Sequence, residues 1–507
     1  MFHPLPNGHG IPDELIKEPL FHLSADGVVG LTQAQVSGIN AGIASGGSLL
    51  LVAPTSSGKT MVGLVAASTW LRGGDGLSQQ VVYLVTHRAL ARQKFNELKS
   101  PKYLEIFDIE KEELVLATGD QVVDAGGVAV NDPLSGRFII ATYEKYLALL
   151  AGSGHRRDMA NICIVADEIQ ILGDTHRGRA VEVLLTIIRS AQCGQFVGLS
   201  AVLCKRDSEA ISSWLGVQLV VEEFREIPLT FELRTQGNTH EWSTDGGDEV
   251  LSLEARSTDT VEVLNELASD AESHFPVAVF CMTKRRISDL IRAWERNCPE
   301  SDAKLDFEFE ELTSSSVILA SSLPKGFGIH TADLIDTERE IVERRLENDQ
   351  LPIVFATTTL AQGLNFSFKT VIFDRWTRFI FERRVDEPIS YSDFHNIAGR
   401  AGRMGLQDRG RVIFSAQNTA ESRAASRYLT AEIPQLHVGY IDVSDFEAIA
   451  LQLISAGLAT CRNDLFTFLS ESLTGYLAKD NIKGVEDEWI RKLDSTLDRL
   501  RDWGFLQ

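Results

Sequence analysis

The sequence predicts an α/β protein: two successive parallel-sheet domains followed by a small helical one. Three observations predict it. Short β-branched or apolar runs alternate with longer helix-like stretches from Ser48 onward, a glycine-bearing turn follows the first run, and a second alternating series begins after Ile227.

The first series reads SLLLVAP, VVYLV at residues 81–85, ELVLATG near Leu114, RFIIAT at 137–142, ICIVADE and FVGLS. The second reads PVAVFCM at 276–282, PIVFATT at 352–358, TVIFD at 370–374 and RVIFSA at 411–416. Between them, residues 235–259 are rich in Gly, Thr, Ser and Asp, which predicts a loop or an exposed hairpin near the boundary. From about Asp442 the strand pattern stops, and apolar residues recur at three- and four-residue intervals, as in helices. The expected boundaries are 1–225, 226–430 and 431–507. Domain sizes of roughly 100 to 200 residues agree with three units in 507 residues.

An apolar fraction of 44% and a charged fraction of 24% are ordinary globular values and exclude a disordered or fibrous chain. No apolar run approaches the roughly 20 residues that cross a bilayer, and MFHPLPNGHG lacks a signal-peptide core. Cytoplasmic residence and no membrane partner are therefore expected. The cysteines Cys163, Cys193, Cys204, Cys281, Cys298 and Cys461 form no CxxC or zinc spacing, so buried reduced thiols are the expected state. A net charge of −22 excludes a protein that coats nucleic acid by bulk electrostatics; contact with a strand must be local.

In APTSSGKT, residues 53–60, a strand enters a glycine-bearing turn and then a helix, so backbone N–H groups at the helix start point at phosphate oxygens. Ser56, Ser57, Gly58, Lys59 and Thr60 would form the cradle, with Thr55 beside them among the nucleotide-binding residues. Lys59 would neutralise the β- and γ-phosphates of ATP, and the Thr60 hydroxyl would ligate Mg²⁺. The strand ICIVA leads into Asp167, Glu168, Ile169 and Gln170, setting two carboxylates at the carboxyl end of a strand, where ligands of open α/β sheets bind. Asp167 is the expected metal ligand and Glu168 the residue that orients and deprotonates the attacking water. Taken alone, such a pair is often a solvated helix cap; the phosphate loop upstream changes its reading.

With these residues in place, the chain resembles superfamily 2 helicases, in the superkiller-like DExH-box branch that includes archaeal DNA-repair and eukaryotic RNA-exosome helicases. The resemblance covers nearly the whole chain and implies two tandem RecA-like domains followed by a winged-helix-like domain. LTQAQ places Gln35 where the family reads adenine, and GLSAV at 198–202 resembles the motif coupling hydrolysis to strand binding. DEIQ with LGDTHRGRA, ATTTLAQGLN at 356–365 and FHNIAGRAGR at 394–403 match further motifs in order. The resemblance implies that Arg400 and Arg403 reach the ATP site as arginine fingers, that Gly363 and Asn365 line the nucleotide, and that Thr357 faces a bound strand.

The expected nucleic-acid track comprises Arg88, Thr118, Gly119, Thr142, Thr283 and Thr357, whose hydroxyls and amides bind phosphates without adding net positive charge. Each is equally at home as a helix cap or loop residue. KGFGIHTADL resembles the branch's HHAGL segment, with Thr331 in place of its second histidine, and leaves a role for His330 open. Residues 374–391 lie where the branch carries a strand-separating hairpin, and Trp376, Phe379 and Phe381 could stack on a base or pack on the second lobe. Lys284, Arg285 and Arg286 read as a solvated basic face.

Two residues depart from the family pattern. Gln170 replaces the usual histidine and Asn396 the usual glutamine, and both can still form hydrogen bonds. The helical ratchet bundle of DNA-unwinding relatives is missing from the sequence; weak processivity, a partner subunit or a truncated chain would each account for it. The expected function is an ATP-dependent helicase or translocase, moving 3′ to 5′ on single-stranded or partly duplex DNA or RNA. Two alternatives stand beside it: an ATPase subunit of a nuclease or defence complex, and an ATP-gated nucleic-acid clamp.

Overall fold

Aliphatic and β-branched runs that are buried on both faces form parallel strands, and the chain contains two sets of them. A computed structural model describes residues 3–23, 28–73, 78–119, 121–154, 157–246, 250–252, 256–296, 313–331, 333–357, 368–380, 384–402, 408–430, 433–436, 441–478 and 482–505. The chain divides into two units, Met1–Phe224 with Pro434–Gln507, and Arg225–Ile433. Each is an α/β body of the RecA-like kind.

The first unit contains β1 (Leu49–Val52), β2 (Gln80–Val85), β3 (Leu114–Ala117), β4 (Val122–Asp124), β5 (Phe138–Thr142), β6 (Ile162–Ala166), β7 (Gln195–Ser200) and β8 (Gln218–Val221). They form one sheet in the order β4-β3-β5-β2-β6-β7-β1-β8, parallel except for the β3–β4 edge pair. Successive residues of a strand face opposite sides. Leu49 and Leu51 therefore join Val62, Val65 and Tyr83 in one core, while Leu50 and Val52 join Ile164, Ile187 and Trp214 in another.

The segment from Pro434, read from sequence as a third domain over 431–507, lies within the first unit because it shares that second core. Its helices Phe446–Ser455, Arg462–Glu471, Leu473–Ala478 and Ile482–Asp502 contribute Phe446, Leu453, Leu469 and Trp489. Polar bonds fix the packing: Thr474 N–H donates to the buried Glu182 Oε1 at 2.6 Å, Leu436 N–H to Asp207 Oδ2 at 2.7 Å, and Trp214 Nε1 to the Glu471 carbonyl at 2.8 Å. No strand occurs among the described residues of this segment.

The second unit contains β9 (Leu229–Arg234), β10 (Thr239–Ser243), β11 (Val250–Ser252), β12 (Val277–Phe280), β13 (Phe327–His330), β14 (Ile353–Ala356), β15 (Thr370–Phe373), the hairpin strands β16 (Thr377–Ile380) and β17 (Val385–Pro388), and β18 (Gly410–Ser415). Its sheet runs β11-β10-β9-β18-β15-β12-β14-β13, parallel from β9 to β13, with β10 and β11 added antiparallel at one edge. The polar stretch after Arg234 is thus a sheet extension. Buried charges anchor it: Glu232 and Arg234 are both 0% exposed, Arg234 Nε donates to Glu232 Oε1 at 2.6 Å, and Arg411 Nε donates to Glu232 Oε2 at 3.0 Å.

No described helix is long and apolar enough to cross a membrane. Cys163 and Cys281 are buried free thiols, whereas Cys461, expected to be buried, is exposed at the start of helix Arg462–Glu471; Cys298 lies outside the described residues.

Candidate active site

Three adjacent strands of the first sheet, β6-β7-β1, end at Ala166, Ser200 and Val52. Asp167 and Glu168, Ser200, and the loop from Ala53 are thereby set side by side at one edge, spanning about 10 Å at the usual strand spacing.

The loop has the strained backbone that a phosphate cradle needs. Ser56 lies at φ 66° and Gly58 at φ 79°, immediately before helix Lys59–Arg72. A Cβ at Gly58 would fall 2.2 Å from Gln35 Nε2, so only glycine allows Gln35 this close. Gln35 Nε2 donates to the Gly58 carbonyl at 3.3 Å, Gln35 Oε1 accepts from Thr32 N–H at 2.9 Å, and Thr32 Oγ1 donates to the Ser57 carbonyl at 2.6 Å. Helix Gln33–Asn40 thus braces the loop from outside. Lys59 is buried, its ammonium donating to the Ala53 and Pro54 carbonyls at 2.8 Å each. Ser57 Oγ is buried with no hydrogen-bond partner among the described residues.

Asp167 is 7% exposed. Its Oδ2 accepts from Tyr83 Oη at 3.0 Å and its Oδ1 from Glu168 N–H at 3.0 Å. Burial, and next the neighbouring Glu168, push its pKa up to about 6 against the opposing pull of Lys94, the Tyr83 bond and Lys59. Burial, and then Asp167, raise the Tyr83 pKa, and the Thr60 side chain acts on the same hydroxyl to lower it, so one buried hydroxyl neighbours both residues expected to hold the metal. Glu168 sits at φ 55°, which turns its carboxylate away from the strand line. Gln170 Nε2 donates to Glu168 Oε2, and Gln170 Oε1 accepts from Ser200 Oγ at 2.7 Å. A chain of hydrogen bonds therefore joins the carboxylate after β6 to the end of β7.

This donor set fits a nucleoside triphosphate with a divalent cation. A glycine-gated loop, a buried lysine, a serine hydroxyl unsatisfied among the described residues, and a carboxylate held by a buried tyrosine would supply cradle, charge neutralisation and hard oxygen ligands.

The other half of the sheet carries residues expected from sequence to contact a strand. Strands β3-β5-β2 end beside Thr118, Thr142 and Thr86. Thr118 is 0% exposed and Thr142 6%; Thr142 caps helix Tyr143–Gly152 by accepting from Lys145 N–H at 3.3 Å. Arg88 and Gly119 are exposed and lie together, since a Cβ at Gly119 would sit 2.4 Å from the Arg88 guanidinium. Arg177 clamps two of these loops. Its Nε and Nη2 donate to Glu144 Oε1 and Oε2 at 2.6 and 3.0 Å, its Nη2 also donates to the Thr86 carbonyl, and Nη1 lies 3.3 Å from His87 Nδ1. Burial, and then Arg177, lower the His87 pKa to about 4.

In the second unit, β13, β14 and β12 end at His330, near Thr357 and near Thr283. Thr357 N–H donates to the His330 carbonyl at 3.1 Å, and Thr283 caps helix Lys284–Glu295 through Arg286 N–H at 3.3 Å. His330 is buried against Glu343, with Nε2 3.1 Å from Oε1. Arg400 follows helix Tyr391–Ala398, on which Asn396 is half-buried. Gly363, Asn365, Arg403 and Phe381 lie outside the described residues.

One expectation is corrected. Trp376 is 3% exposed, donates its indole N–H to the Ser415 carbonyl at 2.8 Å and packs edge-on to Tyr428, so neither ring face can receive a base. In the hairpin of β16 and β17, it is Phe379 that is exposed. Arg286 keeps a side chain 42% exposed on the same face as the exposed Lys284 and Arg285, while its Nε and Nη2 also grip the buried Asp374 at 2.9 and 2.8 Å.

Sequence reasoning did not single out Tyr83 or Arg177 for these roles. Tyr83 had one available signal, a lone hydroxyl inside a buried aliphatic strand that must find a partner.

Comparison with known proteins agrees with this geometry. Residues 32–211 match the DEAD/DEAH box helicase family. The chain is 28% identical over 494 residues to the ATP-dependent DNA helicase Hel308 of Pyrobaculum calidifontis, covering 96% of this chain and 66% of that protein. It is 28% identical over 480 residues to Hel308 of Pyrococcus horikoshii, covering 92% and 62%, and 25% identical over 471 residues to Hel308 of Thermoplasma acidophilum, covering 92% and 63%. The chain thus spans slightly less than two thirds of the length of these relatives. In fold, motif order and sequence it is similar to superfamily 2 helicases of the archaeal DNA-repair type.

Proposed function

We propose that this chain is a nucleic-acid-dependent ATPase that acts as a helicase or translocase on single-stranded DNA, moving 3′ to 5′, and that it is a DEIQ variant of the DExH-box branch. The observation that carries the reading is the strand order β3-β5-β2-β6-β7-β1. One sheet edge bears phosphate-loop chemistry on three strands and strand-contact candidates on the neighbouring three. DNA is preferred to RNA because the relatives named above are DNA helicases.

Magnesium-bound ATP would supply the phosphoanhydride whose hydrolysis drives movement. Lys59 would neutralise phosphate charge, with the loop of Thr55, Ser56, Ser57 and Gly58 donating N–H groups and Gln35 holding the loop. Thr60 and Asp167 would hold the cation. Glu168 would orient water and take its proton, steered by Gln170. Arg400 and Arg403 would stabilise charge on the γ-phosphate, with Gly363 and Asn365 lining the nucleotide. Arg88, Thr118, Gly119, Thr142, Thr283 and Thr357 would contact the backbone of the strand.

The test is steady-state ATPase with matched DNA and RNA oligonucleotides, single-stranded and with a 3′ overhang. Stimulation of about tenfold or more by single-stranded DNA is expected, against the basal rates typical of such enzymes. A rate indifferent to both nucleic acids would sink the reading. Glu168→Gln separates a motor from a clamp: a motor loses strand movement, and a clamp keeps or tightens binding.

A further inference from the structure

Arg225 is the first residue of the second unit and belongs to none of the matched motifs. Part of its surface is in solvent, but its guanidinium is turned inward, and burial lowers its pKa to about 10, so it remains charged near neutrality. Its described hydrogen bonds all reach main-chain carbonyls. Nε donates to Ile227 at 2.7 Å, and Nη2 donates to Gly399 at 3.1 Å and to Ala401 at 2.8 Å.

Those last two carbonyls flank Arg400. The carbonyl of Arg400 itself accepts from Phe368 N–H at 2.8 Å, Gly402 N–H returns a bond to the Phe368 carbonyl at 2.7 Å, and Arg400 N–H donates to Ile397 at 3.0 Å. Every carbonyl from 399 to 401 is therefore held, the outer two by one side chain. The placement is favourable on electrostatic grounds, since the carbonyls ending helix Tyr391–Ala398 carry partial negative charge. Gly402, at φ 85°, then turns the chain so closely past Ile227 that a Cβ would lie 2.7 Å from Ile227 Cγ2. The short segment 225–227 thus touches the arginine loop twice, by hydrogen bonds from its first residue and by packing of its third.

We propose that Arg225 is a positioning residue for ATP hydrolysis: it pins the backbone on both sides of Arg400 and so sets the direction in which that side chain projects. This rests on the reading that Arg400 serves hydrolysis. Arg225 touches no phosphate; its effect passes through Arg400.

The experiment compares the full chain carrying Arg225→Ala, Arg225→Lys, Arg400→Ala and the Arg225→Ala/Arg400→Ala pair, with kcat and KM for ATP, melting temperature, and rescue by added guanidinium. Arg225→Ala is expected to lower kcat roughly tenfold or more with KM within about twofold, and the pair to be no worse than Arg400→Ala alone. Guanidinium should restore part of the Arg225→Ala rate. Lysine keeps the charge but lacks the planar fork, so Arg225→Lys should fall between wild type and alanine. A fold defect alone would lower both melting temperature and active fraction and would add to the Arg400→Ala loss. Multiplicative losses in the pair, or a wild-type kcat in Arg225→Ala while Arg400→Ala is impaired, overturn the proposal. If Arg225→Ala does not fold, a wild-type kcat in folded Arg225→Lys overturns it equally. An Arg400→Ala chain as active as wild type would remove instead the reading of Arg400 on which the proposal rests.

Discussion

The Tyr83 hydroxyl donates to Asp167 Oδ2 at 3.0 Å across the β2–β6 pair. Tyr83→Phe removes this bond and leaves a buried carboxylate oxygen without its partner. A hydrogen bond to a charged group contributes about 1.5–3 kcal/mol, so the Mg²⁺ concentration for half-maximal ATPase should rise roughly tenfold or more. Titration of the ATPase rate against MgCl₂ checks this. An unchanged half-saturation point would mean that Tyr83 only fills space.

Gln170 is the middle link between Glu168 and Ser200. Gln170→Ala leaves the buried Ser200 hydroxyl unsatisfied and frees the Glu168 carboxylate to rotate, which should lower kcat about tenfold. Because glutamine does not titrate, wild-type ATPase should show no inflection from this position between pH 6 and 8, whereas Gln170→His should introduce one. Superimposable pH–rate profiles for the two proteins would deny this position any special part in hydrolysis.

Arg177 holds the turn of Thr86 and His87, just ahead of the helix that begins at Arg88, to the helix capped by Thr142, through its paired bonds to Glu144. Arg177→Ala should weaken strand binding without touching the ATP residues. The DNA concentration giving half-maximal ATPase stimulation should rise roughly tenfold, while the basal rate stays within about twofold. Arg177→Lys keeps the charge but cannot form the paired contact, and should recover only part of the loss. Equal loss of basal and stimulated rates would count against a strand-specific role.

The parts of this structure that were legible in sequence, and those that were not, separate along a physical line. Parallel strands buried on both faces are unbroken apolar runs, so ICIVA and VVYLV announce β6 and β2, and the loop ahead of Lys59 is a local backbone device. Arg177 and Arg225 act through partners 33 to 176 residues away, and no local pattern reports such a contact. Trp376 failed for the same reason: its flanks are polar, but Ser415, whose carbonyl takes its indole proton, lies 39 residues on. The edge strands β10 and β11 were blurred because their polar composition is equally that of a loop, and they are held by the ion network around Glu232.

His395 lies among Phe231, Tyr391 and Phe394, and burial, opposed by a bond to Tyr428 and reinforced by Arg225, lowers its pKa to about 4. The folded state therefore takes up this proton less readily than the unfolded chain, whose histidine titrates near 6.5. Stability from this residue is complete above about pH 6.5, is lost as pH falls toward 4, and declines no further below that. The loss at pH 5 is about 2 kcal/mol. Thermal melts at pH 7 and pH 5 should show a smaller drop for His395→Phe than for wild type. Equal drops would place the acid sensitivity elsewhere.

Residues 434–507 complete the core of the first unit, so a chain ending at residue 433 should fail to give a soluble folded protein. Phe446, Leu453, Leu469, Leu473, Trp489 and Leu500 are each at most 8% exposed within the core that contains Leu184, Ile187 and Trp214. Burial of one such side chain contributes about 1.5–3 kcal/mol, and six together reach the whole 5–15 kcal/mol by which domains are usually stable. The truncation would also expose a contiguous apolar face that invites aggregation. A milder change isolates the polar part of the same seam: Glu182→Ala leaves the Thr474 N–H without its carboxylate and should cost about 1–3 kcal/mol. Size-exclusion chromatography and thermal melts of both variants check the argument, and a monomeric truncated chain with a cooperative, wild-type melt would show that the first sheet needs no cover from the carboxyl-terminal helices.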